Sequence, residues 1–350
     1  MNVHVVEPPP AQRAGGLEIG LRSLEAFLCR SGVTVRRNPS LEELGASKTP
    51  VVAHFHGLWQ RKFLKSSAFC RRLNVPYVVS PHGMLEPWAF RHKRWKKLLW
   101  YQLFEKLHLS RASSLLTTSE AESRNLKKLL PSANCAVLPL GLTADCRPGF
   151  AEARRKLGWP ESEFVLLFLS RIHPKKGLDV LLRALAGLGG SDVRNVRLVV
   201  VGGGEPQYVR MLRSYAERES SRLPRVDWQG EIWDDKKWAY FQGADLFCLP
   251  SHSENFGLAI LEALQVGTRV LTTDRTPWEE VSSWGAGIVV PPFEEEVRSG
   301  LAGLLKNRDW TNDQRARLAS RIHEQFSWST VGPAYLRFYE GIVQNSSHES

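Results

Sequence analysis

The sequence predicts an α/β protein of two parallel-sheet domains, and three observations carry that expectation. Short β-branched and aliphatic runs alternate with amphipathic helical stretches along the whole chain, the alternation that builds βαβ units. Runs such as Leu198-Val-Val-Val201 are apolar on both faces, as strands covered by helices on each side must be. At 350 residues the chain exceeds the usual span of one core, so two domains are expected.

Six strands are expected near residues 2–6, 33–37, 51–55, 76–80, 115–118 and 135–139. Six more are expected near 164–170, 196–202, 225–229, 245–249, 269–273 and 287–290. Between the two series lies the turn-rich joint Ala144-Asp-Cys-Arg-Pro-Gly149. This divides the chain into an N-terminal domain over 1–145, a C-terminal domain over 146–328, and a closing helix with its tail over 329–350, the helix carried by the amphipathic stretch Val331–Val343.

Composition excludes several classes. Apolar residues make up 43% of the chain, ordinary for a globular protein. No run approaches the ~18–20 apolar residues of a membrane span. The chain enters its first strand at once, so a secretory leader is not expected. Five scattered cysteines (29, 70, 135, 146 and 248) without CxxC spacing fit reduced thiols in a cytoplasmic protein. No Asp-x-Asp occurs, and no His, Cys or carboxylate set has metal-ligand spacing, so no metal is expected.

The net charge of +11 is unevenly placed: residues 1–145 hold 21 Lys and Arg against 10 Asp and Glu, and the rest of the chain balances at 26 against 26. The excess points to an anionic partner for the N-terminal half. Nucleic acid is not that partner, since no recognition motif is visible and the C-terminal half is neutral. The stretch Arg91-His-Lys-Arg-Trp95-Lys-Lys-Leu-Leu-Trp100 is a better guide. At helical pitch Trp88, Trp95, Leu98, Leu99 and Trp100 form an apolar stripe flanked by cations, which suits an anionic membrane interface. The competing reading is a helix that covers its own sheet and turns its cations to water.

Ligands of open parallel sheets collect beyond the carboxyl ends of the strands, which directs attention to Gly15-Gly16, His54-Phe-His56-Gly57, Pro81-His82-Gly83, Ser170-Arg171, Gly202-Gly-Gly-Glu205 and Ser251–Gly257. The strongest block is Pro250-Ser-His-Ser-Glu254-Asn-Phe256-Gly257-Leu258-Ala-Ile-Leu-Glu262. A strand ends there, a loop presents Glu254, and a helix opens near Phe256-Gly257 with free amides at Gly257, Leu258 and Ala259 that suit a diphosphate. Gly257 permits close backbone approach. Glu262 lies one turn beyond Leu258, placed to accept hydrogen bonds from a ribose diol, and Glu254 can hold sugar hydroxyls. Structural roles, Glu254 beside a helix cap and Glu262 as a surface charge, compete with these. The second block, Ser170-Arg171-Ile-His-Pro-Lys-Lys176-Gly177, brings two cations to one strand end. Arg as a fork and Lys as a point charge can neutralise a departing diphosphate. Gly202–Gly204 reads as a tight turn near the nucleotide.

Together these blocks, with Gly15-Gly16 and His82, resemble the retaining glycosyltransferase family 4 of GT-B fold, the type found in bacterial polysaccharide and lipopolysaccharide assembly. The resemblance runs from the glycine pair to Phe326–Trp328. It implies two facing Rossmann-like domains, with a C-terminal helix packed back on the first. It implies a nucleotide-sugar donor, a sugar or lipid-linked acceptor, transfer with retention, and a place in the cytoplasm or on the inner face of its membrane. By the same resemblance Arg171 and Lys176 bind the donor diphosphate, Glu254 the donor sugar and Glu262 the ribose. Phe256, Gly257 and Leu258 form the helix start of the donor site. Gly15 and Gly16 let the N-terminal loop approach the donor, and His82 lines the reaction centre. His56, at a comparable strand end, is a second candidate beside a structural role. The chain departs from the pattern at Arg275-Thr-Pro-Trp278-Glu-Glu-Val, where a glycine loop is common; Trp278 is either a ligand-facing plate or packing. Rival readings are a catalytically silent nucleotide-sugar-binding protein and a sugar-nucleotide epimerase.

Overall fold

In a computed structural model the chain is described over residues 1–9, 15–45, 50–91, 94–142, 146–147, 149–189, 193–232 and 235–348. It divides into two compact units, one formed by 1–143 with 325–350 and the other by 144–324. Half of the joint, residues 144, 145 and 148, lies outside the described residues.

The first unit holds a parallel sheet of β1 (Asn2–Val6), β2 (Thr34–Arg37), β3 (Val51–His56), β4 (Tyr77–Ser80), β5 (Ser114–Thr117) and β6 (Cys135–Val137), in the order β2-β1-β3-β4-β5-β6. Because side chains alternate along a strand, β3 feeds both faces of the core. Ala53 and Phe55 join Phe63, Tyr77 and Leu109 on one side, while Val52 joins Val3, Val5, Leu24 and Leu28 on the other. The second face is closed by the helix Trp328–His348, which seats Tyr335 and Tyr339 in that cluster. Gly332 is required there, since an added Cβ would strike the Phe27 ring of the helix Gly15–Arg30.

The second unit holds β7 (Phe164–Leu169), β8 (Val196–Val201), β9 (Arg225–Gly230), β10 (Leu246–Leu249), β11 (Arg269–Thr273) and β12 (Gly287–Val290), again all parallel. Their order, β12-β11-β10-β7-β8-β9, is that of the dinucleotide-binding fold. Near-complete burial of β7, β8, β10 and β11 explains their unbroken apolar runs. Two parallel six-stranded sheets with flanking helices are the expected α/β architecture. Among the described residues no helix is long and apolar enough to cross a membrane.

Candidate active site

The strand order fixes where a ligand belongs in the second unit. Neighbours β7 and β10 are where the winding reverses, and a crevice opens at such a reversal beyond the carboxyl ends of the strands. The segments leaving those two ends carry Arg171 and Lys176 on one side and Glu254 on the other.

After β7 the chain passes Arg171 and enters a single 3-10 turn, Pro174–Lys176, capped by the His173 side chain, which accepts from the Lys175 amide. Gly177 ends the turn at φ +71, and an added Cβ would collide with the Pro250 carbonyl beyond β10. The glycine thus lets the two loops touch. Lys176 Nζ then donates to Glu254 Oε1 at 2.6 Å, and Ser251 Oγ donates to the same oxygen at 2.7 Å. Burial opposes the Glu254 carboxylate, yet the Lys176 and Lys175 charges and these two hydrogen bonds outweigh it, and its pKa is lowered. The sequence reading assigned Lys176 and Glu254 to different parts of a donor; the structure joins them as an ion pair. Arg171, by contrast, is exposed and has no ion-pair partner among the described residues.

The remaining donor-side candidates cluster on the next element. Gly257, at φ +79, is the N-cap of the helix Leu258–Gln265 and offers its opening amides no side-chain hydrogen bond of its own. Phe256 is buried beneath this turn, and Trp278 resolves to packing: it is 2% exposed, its ring lies 5.5 Å from that of Phe256, and its Nε1 donates to the Phe256 carbonyl. Glu262 is 4% exposed and receives Lys237 Nζ at 2.6 Å, so the surface-charge alternative does not hold. Gly202 and Gly204 are backbone contacts, since an added Cβ at either would strike the Ser170 or Ile172 carbonyl. With the Ile172–Gly204 bridge they brace the segment that carries Arg171. Among the described residues no group of three or more His, Cys, Asp or Glu stands together as a metal site.

The first unit presents a different chemistry. Gly15 and Gly16 open the helix Gly15–Arg30 rather than forming a loop, and a Cβ on Gly16 would meet nothing within 4 Å. His54 and His56, two apart on β3, share one face, their rings tilted by 38° with centroids 3.8 Å apart. His54 Nδ1 meets Tyr339 Oη at 2.8 Å and its Nε2 meets Ser80 Oγ at 2.9 Å. His56 Nδ1 meets His82 Nε2 at 3.0 Å. His82 itself holds φ +52, an uncommon conformation for a residue with a Cβ, and Gly83 follows at φ +71. Burial pushes the His54 ring down to about 3 and the His82 ring down to about 4, and holds His56 well below its ordinary value, so all three are neutral at neutral pH.

Residues 149–325 match the family described as glycosyl transferases group 1, and residues 1–141 match the glycosyl transferase 4-like domain. The chain belongs to the group 1 glycosyltransferases. It is 30% identical over 197 residues to a phosphatidyl-myo-inositol mannosyltransferase of Mycolicibacterium smegmatis, covering 55% of this chain and 49% of that protein. It is 30% identical over 270 residues to a D-inositol 3-phosphate glycosyltransferase of Rhodococcus opacus, covering 71% and 57%. The match therefore spans about half the length of such relatives. Among solved structures, sucrose-phosphate synthase from Thermosynechococcus elongatus superposes with a TM-score of 0.78 at 18% identity, covering 99% of this chain and all of that one. HepE from Anabaena, in complex with UDP and glucose, gives 0.72 at 17% identity, covering 97% and 99%. At such identities these likenesses establish the GT-B fold.

Sequence reasoning about this glycosyltransferase missed two residues that hold its site. Lys237, the partner of Glu262, lies at the start of the helix Lys236–Gly243 and no motif marks it. Glu122 had a signal: Ser119-Glu-Ala-Glu122 has capping-box spacing, and Ser119 does accept from the Glu122 amide. The Glu122 carboxylate, 3% exposed, instead accepts from the Gly83 amide at 2.7 Å and the Thr118 amide at 3.2 Å, clamping the turn that bears His82.

The basic segment is corrected in detail. Residues 92 and 93 lie outside the described residues; from Arg94 a helical run continues through a π turn at Tyr101–Glu105 to Ser110. Trp100 is not on the stripe: it is half-buried and its Nε1 donates to Glu105. Trp88 is half-buried too, and Lys97 donates inward to the Ala89 carbonyl. The exposed ridge is Trp95, Leu98, Leu99, Leu103, Phe104 and Leu107, with Trp95 68% exposed. The inner face buries Tyr101, Glu105 and Leu109.

Proposed function

We propose that the chain transfers a sugar from a nucleoside-diphosphate donor to an acceptor hydroxyl, with retention of anomeric configuration, in the assembly of a glycolipid or surface polysaccharide. The observation that carries this is the meeting of Lys176 and Glu254 across the β7–β10 reversal, with Arg171 exposed at the end of β7 and the helix that opens at Gly257 following Glu254.

In this reading the donor diphosphate lies at the amides of Gly257, Leu258 and Ala259, where helix-start N–H groups favour anions. Arg171 grips it as a fork and Lys176 as a point charge. Glu254 holds donor-sugar hydroxyls, and Glu262 holds the ribose. Lys176, already held by Glu254, is pre-positioned, and such preorganised charge needs little reorganisation as the leaving group forms. The bond from the anomeric carbon to the diphosphate oxygen breaks, and an acceptor oxygen bonds to that carbon on the same face. The acceptor proton passes to the departing diphosphate. Charge stabilisation by Arg171 and Lys176 stands in this reading where a divalent cation would otherwise serve, so no metal is required. His82, in the first unit, acts by orienting a hydroxyl of a bound sugar.

The exposed ridge extends the reading to place. It combines six apolar side chains with the N-terminal half's excess of 11 positive charges, a pairing that fits an anionic lipid surface. The protein docks there peripherally, on the inner face of the cytoplasmic membrane, and meets a lipid-linked acceptor.

The test is incubation with labelled UDP-, GDP- and ADP-sugars, with and without membrane extracts as acceptor source, and determination of the anomer formed. Acceptor-dependent release of nucleoside diphosphate with a retained anomer is expected. An epimerised nucleotide sugar formed without acceptor would place the chain among epimerases, and tight donor binding with no turnover would make it a silent binding protein.

A further inference from the structure

We infer that His56 is a positioning residue that fixes the tautomer of His82, so that His82 presents its Nδ1–H as a hydrogen-bond donor rather than a basic nitrogen. The inference deepens the transferase reading and rests on it for the role of His82, though the hydrogen bond itself stands on geometry.

Two neutral imidazoles that share one hydrogen bond must divide the roles, one nitrogen donating and the other accepting. The pair is His56 Nδ1 and His82 Nε2, 3.0 Å apart with rings stacked at 15°. The second nitrogen of His56, Nε2, is buried and has no partner among the described residues. If His82 Nε2 carried the proton, His56 would have to carry its own on Nε2, leaving a buried N–H unsatisfied. The opposite assignment leaves only a bare acceptor there, and orphaned buried N–H groups are the rarer case in folded proteins. His56 is therefore protonated on Nδ1 and donates. His82 Nε2 accepts, and its proton resides on Nδ1, which makes no hydrogen bond to any described residue.

The surroundings keep this assignment from relaxing. His56 is 2% exposed on a central strand and its ring lies 3.8 Å, centroid to centroid, from that of His54, which is pinned between Tyr339 and Ser80. The closing helix thereby reaches His82 through two imidazoles. From the other side Glu122 holds the Gly83 amide, so the αL turn at His82 is fixed on both flanks. A ring held this way can donate toward an oxygen of a bound sugar without taking a proton, which agrees with a reaction whose proton leaves on the diphosphate.

Long-range ¹H–¹⁵N correlation on the full chain with ¹⁵N-labelled histidine reads the tautomers without substrate. Expected are a protonated Nδ1 and a bare Nε2 on both His56 and His82. In His56→Phe the His82 signal should shift toward Nε2–H, and kcat should fall on the order of 100-fold, as for a misplaced group, with donor KM nearly unchanged. His56→Asn, which carries an amide N–H near the position of Nδ1, should restore most of kcat and the His82 tautomer. An Nε2–H signal on His82 in the wild type overturns the inference, as does unchanged kcat in His56→Phe or failure of His56→Asn to exceed it. If the wild type turns over no nucleotide sugar, the transferase reading fails, and the tautomer measurement alone upholds or overturns the hydrogen-bond assignment.

Discussion

The carboxyl ends of the two sheets are built from the same parallel architecture and arrive at opposite electrostatics. Beyond β7 and β10 the candidate groups are charged: Lys176 pairs with Glu254, Glu262 on the following helix pairs with Lys237, and Arg171 stands exposed. Beyond β3 and β4 they are three neutral imidazoles held by each other, a tyrosine and a serine. A site that must neutralise a leaving diphosphate requires permanent charge, whereas one that orients a polar sugar works better with neutral donors that cost little to desolvate. In the proposed reading one fold serves both tasks, because strand order places the ligand while the loops choose the chemistry.

The largest effects should fall on the charged side. Arg171→Ala and Lys176→Ala should each lower turnover about 100–1,000-fold, the ~2.7–4 kcal/mol typical of one charge-stabilising donor, and activity should survive EDTA. Activity abolished by the chelator and restored by Mg²⁺ would contradict the proposed mechanism. Because Lys176 and Glu254 touch, Lys176→Ala and Glu254→Gln should be non-additive in a double-mutant cycle; Glu262→Ala, partnered elsewhere, should add to either. In calorimetry Glu262→Ala should weaken nucleoside diphosphate binding while Glu254→Gln leaves it largely intact. Equal losses would erase the division between the two carboxylates.

Acid should then separate the two sides. A histidine whose folded pKa lies below 6.5 binds fewer protons folded than unfolded, so its share of stability is full above 6.5 and is lost as pH falls toward the folded value. His54 and His82, with His108 also buried down to about 3, should each remove about 1.4 kcal/mol per pH unit between pH 6 and 4. Glu254, held below 4.5, keeps its share down to about pH 4.5 and loses it as pH falls from there toward its folded value. Urea unfolding at pH 7.5, 5.5 and 4.5 reads this directly. A stability flat to pH 4.5 would mean that the rings are hydrated or already charged.

The smallest effect per residue is expected at the ridge. Changing Arg91, Lys93, Arg94 and Lys96 to Gln should release the protein from vesicles containing phosphatidylglycerol, at ~1 kcal/mol per cation. High salt should do the same to the wild type, and nucleotide binding should not move. Wild type that stays in the supernatant at low salt would reduce the ridge to a sheet cover.

Much of this was legible in the residues because its causes are local. All twelve strands stand where β-branched runs end in small or polar residues, with bounds shifted by a residue or two. Gly257 and the turn at Gly202 were readable as backbone necessities, since positive φ and close approach leave a residue-type signature, whereas the contact of Gly177 with the Pro250 carbonyl was not. Pairings between distant segments were not legible. Nothing local says that Lys176 meets Glu254, that Lys237 reaches Glu262, or that Glu122 turns from its own helix cap to the Gly83 amide. The stripe was misjudged at Trp88, which stands on the separate helix Pro87–Arg91, and at Trp100, which lies about 140° round from Trp95 on the helix Arg94–Trp100; from Tyr101 the run changes from α to π geometry.

That irregularity has a mechanical consequence. In an ideal α-helix each residue advances about 100°, so side chains four apart drift forward by about 40° at every step. Trp95, Leu99, Leu103 and Leu107 follow a strict four-residue spacing, and over three steps the row would wind well round toward the sheet. The π turn at Tyr101–Glu105 is wider, closing i to i+5, and takes back part of that drift at the middle of the row. It works like the expansion joint of a long beam: the outer flange stays straight while the inner one keeps Tyr101 and Glu105 seated. Were residues 101–105 to close i to i+4 with none deleted, the coil would be regular and everything downstream would rotate forward by about 100°. Leu103 and Leu107 would swing off the ridge, and the buried Glu105 would lose its hold on the Trp59 amide.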